Sequence, residues 1–246
     1  MKKNIAVQLY SLRDRVNNDL PALLKRVADM GFDGVEFAGF YDVPAKKLKE
    51  ILSDLGLKSA ASHTGLELFQ NELVQTLEYN AEIGTELMVV PHFYPFHGRQ
   101  SYEQMGDWCA KWAEEAKKYG MGFAYHNHAV EIETSFFGKR GIDIILSASK
   151  DIQFQADVYW LKYVGLNPAE FLKDYIGRLP VIHLKDMKDE KSKEMTEVGT
   201  GIVDIKSIVK NCALYGTKWL TVEQDTIKGD EFASIKLSLE NIRKLT

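Results

Sequence analysis

Short apolar runs alternate with longer amphipathic stretches along the whole chain. The runs are IAVQLY (5–10), GVEFAG (34–39), LKSAASH (57–63), ELMVVPH (86–92), GFAYHNH (122–128), IQFQAD (152–157), PVIHLKD (180–186) and KWLTVEQD (218–225). Each has the length and apolar content of a buried strand. Between them, apolar residues recur at helical spacing. Leu20, Leu23, Leu24 and Val27 form one stripe, Met105, Trp108, Cys109, Trp112 and Ala116 a second, and Phe232, Ile235, Leu239, Ile242 and Leu245 a third. Such stripes mark helices packed on a sheet. Asn18 or Asp19 before Leu20-Pro21 reads as a helix start,. Met30-Gly31, Leu55-Gly56 and Tyr119-Gly120 read as helix stops,.

Eight such βα units with short connections predict a single (β/α)8 TIM barrel occupying residues 1–246 as one domain,. An open doubly wound sheet is the alternative. The loop after the first run, YSLRDRVNN, lacks the Gly-rich phosphate turn that such sheets use, and Gly-Thr-Gly at 199–201 reads as a turn,.

Side chains alternate along a strand, so the apolar phase of each run identifies the face turned to the helices. Polar residues in the opposite phase then point into the barrel. These are Gln8, Glu36, His126 and His128, Gln153, Gln155 and Asp157, His183 and Lys185, and Thr221, Glu223 and Asp225. His63 and His92 close two further runs, and His97 follows in the aromatic loop HFYPFH, which reads equally as a lid or a packed loop. Histidines and acids gathered at strand carboxyl ends point to one functional mouth.

Composition excludes several partners. Acidic residues outnumber basic ones, 35 to 31, and no basic cluster suggests nucleic acid or an anionic membrane,. No apolar run approaches the ~20 residues of a membrane span. The start lacks a signal-peptide core, so a cytoplasmic location is expected. Cys109 and Cys212 sit on apolar stripes and read as buried free thiols,. A small molecule is the expected partner, and a homo-oligomer is compatible with the sequence.

His126, Asp157, His183 and Glu223 form a mixed imidazole and carboxylate set on consecutive strands. That donor set suits a divalent ion such as Mn, Zn, Co or Mg. Taken singly, each is more often a hydrogen-bonded polar residue than a ligand; together they favour a metal site. Glu36, His63, His92, His128 and Gln8 are expected to face substrate. Trp160 reads as an apolar wall for a sugar face or as core packing. Glu223 is the first candidate for a catalytic base, and Lys185 the second.

The stretches VQLYSLRD, GFDGVEF, YHNHAVEIE, DVYWLKYVG, VIHLKDMK, VGTGIVDI and TVEQD, in this order, resemble the xylose-isomerase-like TIM-barrel superfamily (AP endonuclease 2-like), which holds sugar-phosphate isomerases and epimerases. The YHNH segment is similar to one branch of it. The resemblance implies four divalent-metal ligands on strands five to eight, typically Glu, Asp, His and Glu. Three carry over to Asp157, His183 and Glu223. The strand-five Glu is replaced, with His126 the nearest inward residue and Glu131 the other; Glu131 also resembles a substrate-contacting, catalytic Glu by position. The implied activity is a metal-dependent isomerase or epimerase of a keto-sugar or sugar phosphate, by proton abstraction beside a carbonyl. The alternative is a lyase of the inosose dehydratase or keto-glycoside elimination type. A nuclease like endonuclease IV fits the acidic balance poorly, and a non-enzymatic sugar-binding barrel would hold no metal.

Overall fold

The computed structural model describes residues 3–16 and 19–246. Eight parallel strands close into one barrel in sequence order. They are β1 (Asn4–Gln8), β2 (Gly34–Phe37), β3 (Lys58–His63), β4 (Leu87–Val90), β5 (Gly122–His126), β6 (Ile152–Asp157), β7 (Val181–Leu184) and β8 (Trp219–Val222). Pairing of β1 with both β2 and β8 closes the ring. All eight predicted runs are therefore strands of a (β/α)8 barrel. No helix among the described residues is long and apolar enough to cross a membrane.

Local chemistry sets the helix ends. Asp19 caps the helix Leu20–Met30, its side chain accepting the Ala22 N–H at 2.9 Å. The alternative cap, Asn18, lies outside the described residues. Gly31 and Gly56 close their helices at φ 96° and 66°, a left-handed conformation that glycine enters without a Cβ clash,.

The strands are shorter than their apolar runs. After Gln8 the chain turns into a 3-10 helix, Leu9–Arg15. Pro91 has no N–H to pair, so β4 stops at Val90 and His92 falls on an exposed loop,. Two short ribbons, Ser135–Phe136 with Lys139–Arg140 and Asp186–Met187 with Met195–Thr196, decorate the mouth without a clear alternating pattern to announce them.

The barrel interior is layered. Ala6, Ala60, Ala61, Leu87, Val89, Ala124, Val181 and Trp219 form a separate apolar cluster at its lower end. Trp219 dominates it, and a Cβ on Gly34 would sit 2.9 Å from the indole, so glycine makes room for the ring. Two residues further along the same strands, the inward positions become polar: Gln8, His126, His183 and Thr221, joined by Glu36 and Gln155. Two further still come Asp157, Lys185 and Glu223. The remaining apolar residues pack between barrel and helices, and they include the thiols of Cys109 and Cys212, both buried and unpaired.

Candidate active site

The polar layer is a connected network. Gln155 Nε2 donates to Glu36 Oε1 at 2.9 Å, which fixes the orientation of the amide. Gln155 Oε1 therefore accepts, from His126 Nδ1 at 3.0 Å and His63 Nε2 at 2.7 Å. His63 Nε2 also lies 2.7 Å from Glu36 Oε1. With Nδ1–H committed to Gln155, the His126 lone pair is on Nε2, 3.7 Å from Asp157 Oδ2,. Burial and the nearby His183 and His63 hold the His126 pKa well below its ordinary value, so the ring is neutral and able to ligate.

His183 lies between two carboxylates. Nδ1 is 2.7 Å from Glu223 Oε2, and Nε2 is 2.9 Å from Glu36 Oε2. Burial alone would lower its pKa, but the charges of Glu36 and Glu223 outweigh this and raise it to about 10. Glu36 shows the reciprocal effect. Burial alone would raise its pKa, but His183 and His63 hold it well below the usual carboxylate range.

Lys185, one layer higher, is buried among three acids: 3.0 Å from Asp157 Oδ2, 2.8 Å from Glu223 Oε2 and 3.0 Å from Asp225 Oδ1. Burial opposes its charge, but the three acids raise its pKa well above the ordinary value. It is held as a fixed cation. Glu223, despite its burial, is pushed well below the ordinary range by Lys185 and His183. Both partners contact Oε2. Asp157 is raised by burial, partly offset by Lys185. Its Oδ1 accepts the Tyr159 and Trp160 N–H groups at 2.9 and 3.3 Å, while its buried Oδ2 has Lys185 near it but no well-formed hydrogen bond.

These features test the site for a metal. His126, Asp157, His183 and Glu223 each offer one donor atom, and the four lie within 4.8 Å of one another. The set fits a divalent ion. His126 Nε2 carries a free lone pair, and Asp157 Oδ2 lacks a hydrogen bond. Glu36 can take the Nε2–H of His183 while Nδ1 turns to the ion, the carboxylate–histidine support common behind metal ligands. No thiolate is near, which suits an open catalytic site more than a structural zinc site.

The mouth opens into a cavity of about 810 Å³. His63, His92, His126, His128, Glu131, Lys185 and Glu223 all line it. Three residues expected to face substrate do not line it: Gln8, Glu36 and Trp160. Gln8 Oε1 accepts the Tyr10 N–H at 3.1 Å and caps the 3-10 helix. Glu36 lies behind the histidines. Trp160 packs against His128 and Tyr163, with ring centroids 5.4 and 5.2 Å apart. Glu131 has both oxygens occupied, Oε1 by the Tyr125 hydroxyl at 2.7 Å and Oε2 by the His128 N–H at 2.8 Å. It is thus tied to its own helix, and His126 is the strand-five member of the metal-compatible group.

Sequence reasoning placed Gln155 and Asp225 in the inward phase but gave them no role; Gln155 orients two histidines and Asp225 completes the Lys185 cage. Asn127, in the opposite phase, accepts the Asp157 N–H at 2.9 Å. Asp186 also turns away from the mouth and accepts four backbone N–H groups, from Met187, Gly199, Gly201 and Val203, at 2.8–3.0 Å. The Gly-Thr-Gly turn is therefore fastened to the end of β7 and lines none of the cavity. Of the segment 91–97, Pro91 to Pro95 line the cavity, whereas His97 is exposed and does not line it.

The chain is 24% identical to an inosose dehydratase of Clostridium botulinum (strain Alaska E43 / Type E3), over 91% of this chain and 94% of the relative. Its fold matches a sugar phosphate isomerase/epimerase from Parabacteroides distasonis ATCC 8503, with a TM-score of 0.83 and 24% identity over 99% and 98% of the two chains. It also matches the IOLI protein with a bound zinc atom, with a TM-score of 0.77 and 15% identity over 98% and 97%. The family described as xylose isomerase-like TIM barrel matches residues 24–245. Matched over nearly its whole length, and closed into the barrel that this description names, the chain belongs to the xylose isomerase-like TIM barrel family.

Proposed function

We propose that the protein removes a proton from the carbon beside the ketone of a keto-sugar or keto-cyclitol and expels the oxygen substituent on the next carbon, as a metal-dependent lyase. One observation carries the reading: four donors from the carboxyl ends of β5 to β8 lie within 4.8 Å of one another, two of them, His126 and Glu223, lining the cavity, with a buried ammonium against the set. His126, Asp157, His183 and Glu223 would hold a divalent ion, which would supply a Lewis acid for the substrate carbonyl,. Glu223 is the base. Its carboxylate is ionised throughout the neutral range and lines the cavity, and both its protein contacts fall on Oε2, leaving Oε1 to substrate. Lys185 keeps positive charge where negative charge develops on oxygen. The proton taken from carbon by Glu223 passes to the departing oxygen as its C–O bond breaks. The net change is loss of water or an alcohol, with Glu223 returned to its starting state.

Elimination is favoured over epimerisation because Glu131, the cavity carboxylate on the helix after β5, has both oxygens engaged. The curated relative named inosose dehydratase supports the same outcome. A second reading, isomerisation or epimerisation, draws on His128. Burial, aided by Lys185, lowers its pKa to about 3, and its buried Nδ1 has no hydrogen-bond partner among the described residues. It offers a second, neutral ring nitrogen facing the same cavity, able to hydrogen-bond a substrate hydroxyl.

The test is NMR in D₂O with the metal-loaded protein and a panel of keto-sugars and keto-cyclitols. Loss of water or alcohol identifies the lyase; deuterium incorporation with isomer formation identifies the second reading. Glu223→Gln should retain metal and lose deuterium exchange. Absence of exchange and elimination across the panel, with metal bound at one per chain, overturns the proposal.

A further inference from the structure

We infer that the outer half of the cavity is a subsite for an apolar or aromatic substituent, so that the ring bound at the floor carries such a group and not a phosphate. The position of the ring rests on the function proposed above; the subsite itself rests on the walls.

The cavity is two-sided. At its floor lie histidines, Glu223 and Lys185. Its outer wall is built from Tyr10, Leu68, Phe93, Tyr94, Pro95 and Val130. Four of these are large apolar side chains left open to solvent: Tyr94 at 70%, Tyr10 at 45%, Leu68 at 40% and Val130 at 37% exposure. Scattered exposed apolar residues need no explanation, but these four come from four separate segments, the 3-10 helix Leu9–Arg15, the helix Leu66–Asn71, the loop after β4 and the helix Ala129–Glu133, and converge on one concave rim,. The volume, about 810 Å³, lies near the top of the range of about 300–1,000 Å³ seen for pockets that enclose drug-sized ligands,. A single sugar ring fills only part of that volume.

The wall is held in place. Arg13 donates to the Tyr10 carbonyl at 2.8 Å and the Asp225 carbonyl at 3.0 Å, and its guanidinium stacks 4.2 Å from the Tyr10 ring centroid. His92 meets Tyr94 edge-on at 5.6 Å.

Charge argues against a phosphate. Among the described residues lining the cavity, Lys185 is the only lysine or arginine. Its ammonium is already matched by Asp157, Glu223 and Asp225. A phosphate at the floor would therefore face carboxylates whose one lysine is already matched, and Arg13, beside the rim, spends its guanidinium on the Tyr10 and Asp225 carbonyls and the Tyr10 ring. An aryl or alkyl group placed against Tyr10, Leu68 and Tyr94 meets no such penalty and covers apolar surface.

The experiment compares matched ligands by calorimetry: phenyl and methyl β-D-glucosides, phenyl and methyl β-D-galactosides, and glucose 6-phosphate. Each is titrated into the metal-loaded protein and into the chelator-treated protein. The phenyl member of at least one pair should bind about tenfold more tightly than its methyl partner, equivalent to about 1.4 kcal/mol. Tyr94→Ala and Leu68→Ser should each reduce that ratio several-fold. Chelation should weaken both members together and leave the ratio unchanged. Equal binding within every pair, no binding of either phenyl glycoside, tighter binding of the phosphate ester, or a ratio unmoved by both variants overturns the inference. Failure of the lyase reading appears instead as absent elimination in D₂O with this ratio intact, so the two failures are distinguishable.

Discussion

Replacing Glu36 by Gln removes one negative charge from the middle of the buried network while keeping its shape. The carboxylate lies 2.9 Å from His183 Nε2 and 2.7 Å from His63 Nε2. At 2.9 Å, attraction between unit charges is about 6 kcal/mol at an effective dielectric constant near 20. The amide keeps one acceptor, which retains about 1 kcal/mol, and the variant no longer desolvates a carboxylate. The net loss for the metal-free protein is therefore about 3 kcal/mol, in the range found when one partner of a buried ion pair is removed. The sign of its pH dependence follows from both groups. Glu36 has a depressed pKa, so its stabilisation is present above its ordinary value of 4.5 and is lost toward acid,. His183 has a raised pKa, so its stabilisation is full below its ordinary value of 6.5 and is lost as pH climbs to about 10,. The deficit of Glu36→Gln should be greatest between those ordinary values and shrink in alkali. Urea unfolding of chelator-treated protein at about pH 5.5, 7.5 and 9.5 measures it. Metal affinity should fall about 10- to 100-fold, because His183 loses the carboxylate behind its ring. A variant within ~1 kcal/mol of wild type at about pH 5.5 refutes the reasoning, since that is the cost of losing an exposed pair.

Three further outcomes follow from the same geometry. Metal uptake near neutral pH should release about one proton, because ligation displaces the Nδ1 proton of His183,; calorimetry in buffers of different ionisation enthalpy reads the number, and zero release removes His183 from the ligand set. Lys185→Met leaves Asp157, Glu223 and Asp225 without their shared cation and should destabilise the metal-free protein by about 3–5 kcal/mol,. Saturating divalent metal should recover part of that loss, and an equal loss with and without metal would contradict the shared-charge account. Gly201→Ala places a Cβ 2.2 Å from the Met187 carbonyl oxygen and 2.4 Å from Asp186 Oδ1; it should cost about 2–3 kcal/mol by forcing the turn off β7, and an unchanged melting curve would show that the turn yields freely.

The barrel and most of its inward polar positions were legible in the chain. Strand periodicity is local: once Phe123 and Tyr125 are assigned to the helices, His126 must point inward. The same holds for Asp157, His183 and Glu223, whose neighbours Ala156, Ile182, Leu184 and Val222 are apolar. Eight repeats of that pattern suffice for the architecture, because alternation fixes the face and each short connection returns the chain to the next parallel strand. The resemblance carried by the YHNH and HLKD stretches added the family.

Tertiary structure decided what each inward residue does. Nothing along the chain states that Glu36 of β2 reaches across the barrel to His183 of β7, 147 positions away. Nor does it state that Gln155 orients two histidines, that Lys185 is caged by three acids, or that Glu131 is tied to Tyr125. Alternation determines the face on which a side chain emerges, and it is written in neighbours one and two residues away. Which partner that side chain meets depends on barrel closure and the relative heights of strands far apart in sequence, and so do its charge and its access to the cavity.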